Sequence, residues 1–198
     1  MEKPFAPACE ENKGPILEVI APRLRDALSL LEIGSCTGQH AVHFAPAMPH
    51  LTWQCSDVAD YLPGMHLWLD EAPASNLPEP IELDVDGPWP KGPFDAVFSA
   101  NTAHIMSLEQ VRRMFLGVGR LLPAGDPFLL YGPFSNGGHH TSPSNAAFDR
   151  SLRLRDPVSG VRDLDELKAF ADEAGLTLNE DIAMPVNNRT LVWRKQAQ

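Results

Sequence analysis

The sequence predicts an α/β fold: a mostly parallel sheet with helices on both faces and an antiparallel hairpin at the C-terminal end. Three observations lead there. Apolar runs alternate with helix-spaced segments five times along the chain, the pattern of parallel strands joined by crossover helices. The first run, Leu30-Leu31-Glu32-Ile33, ends in Gly34-Ser35-Cys36-Thr37-Gly38 and then opens a helix. Such a strand, turn and helix N-terminus is where open α/β sheets hold nucleoside-bearing cofactors. Finally, residues 176–184 and 189–194 read as two strands around Asn187-Asn188, which adds an antiparallel pair at one edge and brings the sheet to seven strands.

The elements follow in order. Residues 1–12 read as irregular, with Asn12 capping a helix whose first turn holds Pro15 and whose apolar face is Ile16, Leu17, Ile20 and Leu24. Strand one is 28–33. The helix from Gln39 to Ala47 turns Val42, Phe44 and Ala45 inward. Strand two, 51–57, ends in an acid. A helix over 61–71 carries Met65, Trp68 and Leu69, and a Pro-rich loop leads to strand three at 81–85. Strand four is 94–100. Ser107-Leu108-Glu109-Gln110 is a capping box opening a helix with Val111, Met114, Phe115 and Val118 buried. Strand five is 128–131. Gly132 to Thr141 is polar and glycine-rich, long for a connector, and reads as a mobile lid. Ser142-Pro143 and Asp163-Leu164-Asp165-Glu166 open two further helices, the second stopped by Gly175.

At 198 residues the chain is expected to form a single domain spanning 1–198. Its net charge of −10 argues against a protein that grips nucleic acid by neutralising phosphates, so no nucleic-acid partner is expected. No run approaches the roughly 20 apolar residues of a membrane span, and the first residues lack the basic start and apolar block of a signal peptide. A cytoplasmic location and no membrane partner are the expectations. Cys9, Cys36 and Cys55 are odd in number and form no C-x-x-C pair, so neither a disulfide framework nor a metal site is expected.

The turn decides which cofactor is plausible. A dinucleotide fingerprint starting at Gly34 would need glycine where Cys36 and Gln39 stand, and no G-K-[ST] follows for a P-loop. This disfavours a nicotinamide oxidoreductase. What remains, Glu32-x-Gly34-x-Cys36-x-Gly38, resembles the E-x-G-x-G-x-G motif of class I S-adenosylmethionine (SAM)-dependent methyltransferases, with cysteine for the middle glycine. The resemblance implies a Rossmann-like methyltransferase fold, SAM as cofactor, and a cofactor set of Glu32, Gly34, Ser35, Cys36, Gly38, Asp57, Asp84, Val85, Ala100 and Asn101. Asp57, 19 residues after Gly38, would take the ribose hydroxyls; a carboxylate accepts two hydrogen bonds from a vicinal diol. Asp84 would meet the adenine amino group, although Asp84-Val85-Asp86-Gly87 also reads as an ordinary turn.

More specifically, the chain is similar to a bacterial domain-of-unknown-function family whose eukaryotic relatives are called methyltransferase-like protein 26. The strings that carry this are Asn12-Lys13-Gly14-Pro15-Ile16-Leu17, the Leu31–His40 turn, Ala100-Asn101-Thr102-Ala103-His104-Ile105, Tyr131-Gly132-Pro133-Phe134, Ser144-Asn145-Ala146-Ala147-Phe148-Asp149 and Met184-Pro185-Val186-Asn187-Asn188. That family generally has glycine where Cys36 stands and arginine where Glu11 stands. The implied activity is methyl transfer to a small-molecule acceptor. The alternative is a SAM-binding scaffold without catalysis.

Past the fourth strand, His104 reads either as a general base with a pKa near neutrality or as a histidine hydrogen-bonded under its loop. Tyr131 joins it as a candidate catalytic residue, and Asn12, His139 and Asn145 as candidate substrate contacts. Cys36 fits the turn if its φ is negative. After strand four, Asn101-Thr102-Ala103-His104 stands where methyltransferases that act on nucleobase or amide nitrogen have Asn-Pro-Pro-Tyr.

Overall fold

The computed structural model describes residues 2–72 and 74–197. The large sheet has strand order β3-β2-β1-β4-β5-β10-β9, where β1 is Ser29–Ile33, β2 Thr52–Asp57, β3 Ile81–Glu82, β4 Ala96–Ala100, β5 Pro127–Gly132, β9 Leu176–Ala183 and β10 Arg189–Lys195. β1 runs parallel to β2 and β4, β2 parallel to β3, and β10 antiparallel to both β5 and β9. This is the mostly parallel Rossmann-like sheet with a terminal hairpin that the alternation predicts. The chain divides at Ser99/Ala100 into two compact units.

In the first unit, β1 buries Leu30, Leu31, Glu32 and Ile33 in succession, as a strand covered on both faces must. Helices α1 (Pro7–Ile20), α2 (Gln39–Ala47) and α3 (Leu62–Leu69) pack around it. Phe44 of α2, Trp53 of β2 and Phe98 of β4 meet with ring centroids 5.4–5.9 Å apart, and they anchor the interior. The buried face of α2 is Gln39, His40, Ala41, Phe44 and Ala45, with Val42 only half-buried.

Two boundaries differ from expectation. α1 begins at Pro7, so residues 7–12 are helical and Asn12 lies inside the helix. Proline at the first helical position starts the helix without wasting a donor, and no side-chain cap is needed at Ala6. β3 is only two residues long, because beyond Glu82 the chain turns: Asp84 accepts from the N–H of Asp86 and of Gly87 instead of continuing a ladder.

In the second unit, α4 (Leu108–Leu121) carries the predicted capping box of Ser107 and Gln110. Gly119 lets α4 approach α6 (Leu164–Ala174): a Cβ there would lie 2.2 Å from Ala174 O. Phe115, Phe128 and Trp193 form the aromatic centre of this unit. The 132–141 stretch is not a loose lid. It folds into β6 (Phe134–Asn136) and β7 (His139–His140), and β6 also pairs with β8 (Arg162–Asp163). Gly137 and Gly138 take the positive φ angles of the hairpin turn. Asp163 pins that turn, accepting from Gly138 N and Ser135 Oγ at 2.8 Å while capping α6. The terminal hairpin turns at Pro185–Asn187, with Val186 and Asn187 both at φ 58°.

Candidate functional site

Glu32 sits at the end of β1 with 1% of its surface exposed. Its Oε2 accepts from Ser35 Oγ (2.9 Å), Trp53 Nε1 (2.8 Å) and Cys55 Sγ (3.8 Å). Burial pushes its carboxyl up to about 7 against these three donors. Glu32 therefore acts from beneath the turn. Ser35 relays its hold, accepting from Ser56 N at 3.1 Å while donating to Glu32. The sequence alone does not name Trp53 or Cys55 as partners of Glu32, although their i, i+2 spacing about Gln54 along β2 places both on one buried face.

The main-chain donors of Gly34, Ser35, Cys36 and Gly38 are spoken for. Gly34 N and Ser35 N both donate to Ser56 O, Cys36 N to Asp57 Oδ2 at 2.7 Å, and Gly38 N to Ser35 O. Gln39 N reaches Thr37 Oγ1. A phosphate-binding turn must aim such donors at its ligand, so this one suits a cofactor without phosphate. Gly38 has φ 83°, and a Cβ on it would lie 2.7 Å from Leu69 Cδ1. That glycine is thus required by the packing of α3 against the turn. Cys36 is exposed at φ 52°, not the negative φ expected of a cysteine there. The turn imposes the left-handed conformation, which is why glycine is favoured at this position. Its thiol is raised by enclosure and by the Asp57 carboxylate, so it is not a reactive thiolate.

Asp57 closes β2. Its two oxygens accept from Cys36 N (2.7 Å) and Val58 N (2.8 Å), leaving each with further acceptor capacity. Burial raises its pKa against those two donors. Asp84 is exposed in its turn and Val85 beside it is buried.

The N-terminal segment straps this side of the first unit. Trp68 Nε1 donates to Pro4 O (2.6 Å), Lys3 Nζ stands 4.0 Å over the Trp68 ring, and Pro4 rests against Gly64. Further along, Ala6 N donates to Gln39 Oε1, Gln39 Nε2 to Glu10 Oε1, and Asn12 Oδ1 pairs with His40 Nε2 at 2.7 Å. His40 is neutral, with its pKa lowered to about 4 chiefly by burial. Asn12 is therefore engaged with the first turn of α2, immediately after the glycine turn.

In the second unit, Ala100 is buried and Asn101 has φ 59° with its N–H on Tyr131 O; asparagine tolerates this conformation. Tyr131 is buried in β5. His104 is 7% exposed and edge-on to Phe148 at 5.2 Å. Among the described residues, no hydrogen bond reaches either ring nitrogen. Its pKa is lowered to about 4, not near neutrality, by burial and then by Arg162 and Arg155. His139 is exposed on β7. His140 lies 3.6 Å from Asp149, and no group of metal-ligating side chains occurs among the described residues. Asn145 donates to Thr141 Oγ1 and Asn187 O, tying α5 (Pro143–Arg155) to the hairpin tip.

A family model described as "Protein of unknown function (DUF938)" matches residues 3–195. The chain belongs to this family. The DUF938 chain is also similar in structure to the SAM-dependent methyltransferase SibL, with a TM-score of 0.81 at 19% identity over 96% of this chain and 56% of that one. An O-methyltransferase family protein from Burkholderia thailandensis matches at 0.81 and 14%, over 96% and 58%. Human N-acetylserotonin methyltransferase, solved in complex with SAM, matches at 0.79 and 13%, over 96% and 53%. The DUF938 chain spans little more than half the length of these proteins. It has the class I methyltransferase fold. No helix among its described residues is long and apolar enough to cross a membrane.

Proposed function

We propose that this DUF938 protein is a SAM-dependent methyltransferase acting on a small-molecule acceptor. The observation that carries the reading is Asp57: a carboxylate closing β2, held by Cys36 N and Val58 N with acceptor capacity to spare, beside a turn whose Gly34, Ser35, Cys36 and Gly38 N–H groups are engaged within the protein. The fold supports it, since proteins of similar structure bind this cofactor. When bound, SAM supplies a methyl group on a sulfonium, displaced in line by the acceptor to leave S-adenosylhomocysteine (SAH).

The chain's residues then divide the work. Asp57 receives the ribose hydroxyls and Asp84 the adenine amino group. Gly34, Ser35, Cys36 and Val85 provide the surrounding surface in the first unit, with Glu32 supporting the turn from below. His104 meets the acceptor as a neutral imidazole that can take a proton from a hydroxyl as the methyl moves. Tyr131 is the second candidate for the catalytic side, and Asn12, His139 and Asn145 are the candidate substrate contacts.

Calorimetric titration of SAH into the protein tests the cofactor assignment. Asp57→Ala is expected to weaken binding about 10- to 100-fold, the loss of charge-assisted hydrogen bonds to a diol. Incubation of labelled SAM with small-molecule extract, comparing wild type with His104→Ala, separates enzyme from scaffold. Tight SAH binding with no labelled product from any extract favours the scaffold.

A further inference from the structure

Beyond Asn101 the chain makes a short turn, with Thr102 O accepting from Ile105 N and Met106 N. The next four carbonyls all accept hydrogen bonds from one distant stretch, residues 159–162. Arg162 Nε donates to Ala103 O (3.1 Å), Gly160 N to His104 O (2.9 Å), Ser159 Oγ to Ile105 O (2.8 Å), and Arg162 Nη2 to Met106 O. Arg162 Nη2 also reaches Val158 O at 2.7 Å, closing the stretch on itself.

Arg162 is 5% exposed, and its guanidinium partners are main-chain carbonyls; among the described residues no carboxylate pairs with it. A buried cation is costly unless its donors are used. A rigid fork of five N–H groups can hold three carbonyls at fixed spacing, which neither lysine nor a neutral side chain does. α5 braces the stretch from behind: Asp149 Oδ1 accepts Val161 N (2.8 Å) and its Oδ2 accepts Arg153 Nε (3.0 Å). Gly160 fits only because it lacks a Cβ, which would stand 2.9 Å from Asp149 Oδ1. The loop so gripped presents His104, a nearly buried titratable ring that no hydrogen bond reaches among the described residues.

We propose that Arg162 is a positioning residue for the acceptor side of the reaction, clamping residues 103–106 so that the His104 ring is held ready for an acceptor hydroxyl. This rests on the role given to His104 above. Arg162 touches neither cofactor nor acceptor. The charged groups acting on the ring are Arg162 from β8 and Arg155 from α5, and both oppose its protonation.

The test uses the full chain, with no acceptor needed. Amide hydrogen exchange at Ile105, Met106 and Gly160 reads the clamp, and an NMR titration reads the His104 ring. In Arg162→Met, exchange at those amides is expected to rise about tenfold or more, and the His104 midpoint to rise from about 4, with burial still holding it below the ordinary histidine range. In Arg162→Lys the charge stays but the fork is gone, so exchange rises while the titration stays near wild type. SAH affinity, measured in parallel, stays within about twofold of wild type in both variants. Absence of SAH binding in the wild-type protein would sink the cofactor reading and leave the clamp result standing. Unchanged exchange in both variants overturns the proposal. If Arg162→Met does not fold, Ser159→Ala takes its place beside Arg162→Lys, and unchanged exchange in that pair is equally decisive.

Discussion

Cys36 holds a left-handed conformation in the glycine turn after β1, with φ 52°. That conformation costs a non-glycine residue about 1–2 kcal/mol, while glycine would lose about 0.4–1 kcal/mol through its freer unfolded chain. Cys36→Gly is therefore expected to raise stability by about 0.5–1 kcal/mol, seen as a higher urea midpoint at unchanged m-value. The cysteine was legible as a departure from the glycine pattern; its backbone angle was not, because the turn and the Asp57 contact set it. Glu32 makes a pH prediction. Its folded pKa is raised to about 7 from 4.5, so its stabilising contribution is complete below 4.5 and lost as pH rises through 7. Relative to Glu32→Gln, wild type should lose on the order of 3 kcal/mol across that window. Denaturant titrations of both proteins from pH 4.5 to 8 check the slope, and a pH-independent difference contradicts it. His104 is base-competent when neutral, so its contribution to turnover should be flat above about pH 5 and fall as pH drops through about 4.

At the scale of elements, two segments that position the site left little trace in the sequence. The first is the strap. Residues 3–6 read as irregular because they form no periodic pattern, yet they are fixed by Trp68, whose indole donates to Pro4 O. Trp68→Ala should lower stability by about 1–2 kcal/mol and speed amide exchange from Phe5 through Glu10. The second is the 158–162 clamp, invisible because its partners lie more than fifty residues away and are carbonyls, which no sequence specifies. Gly160→Ala should destabilise by about 1–3 kcal/mol, since φ 157° is open essentially to glycine alone. The glycine-rich 132–141 stretch shows the opposite failing. Its composition reads as a lid, but Gly137 and Gly138 serve a hairpin turn that Asp163 pins. By contrast, both capping boxes and the Gly175 stop were legible, because a cap is a local contract between side chain and backbone.

For the whole molecule, alternation of strand and helix was enough to read the sheet, since one buried run such as Leu30–Ile33 must be covered on both faces. The glycine turn and the acid ending β2 narrowed the cofactor, because the dinucleotide spacing fails at Cys36 and Gln39 and no G-K-[ST] follows for a P-loop. Where the hydrogen bonds go added what spacing alone lacks: the N–H groups of Gly34, Ser35, Cys36 and Gly38 go to Ser56, Asp57 and Ser35. The central claim is that this DUF938 chain uses that turn and Asp57 to hold SAM. Calorimetric titration with SAH, wild type beside Asp57→Ala, tests it most directly. The account predicts saturable one-site binding to wild type, weakened about 10- to 100-fold by the substitution. Heat of dilution alone with wild type, or equal affinity in both proteins, contradicts it.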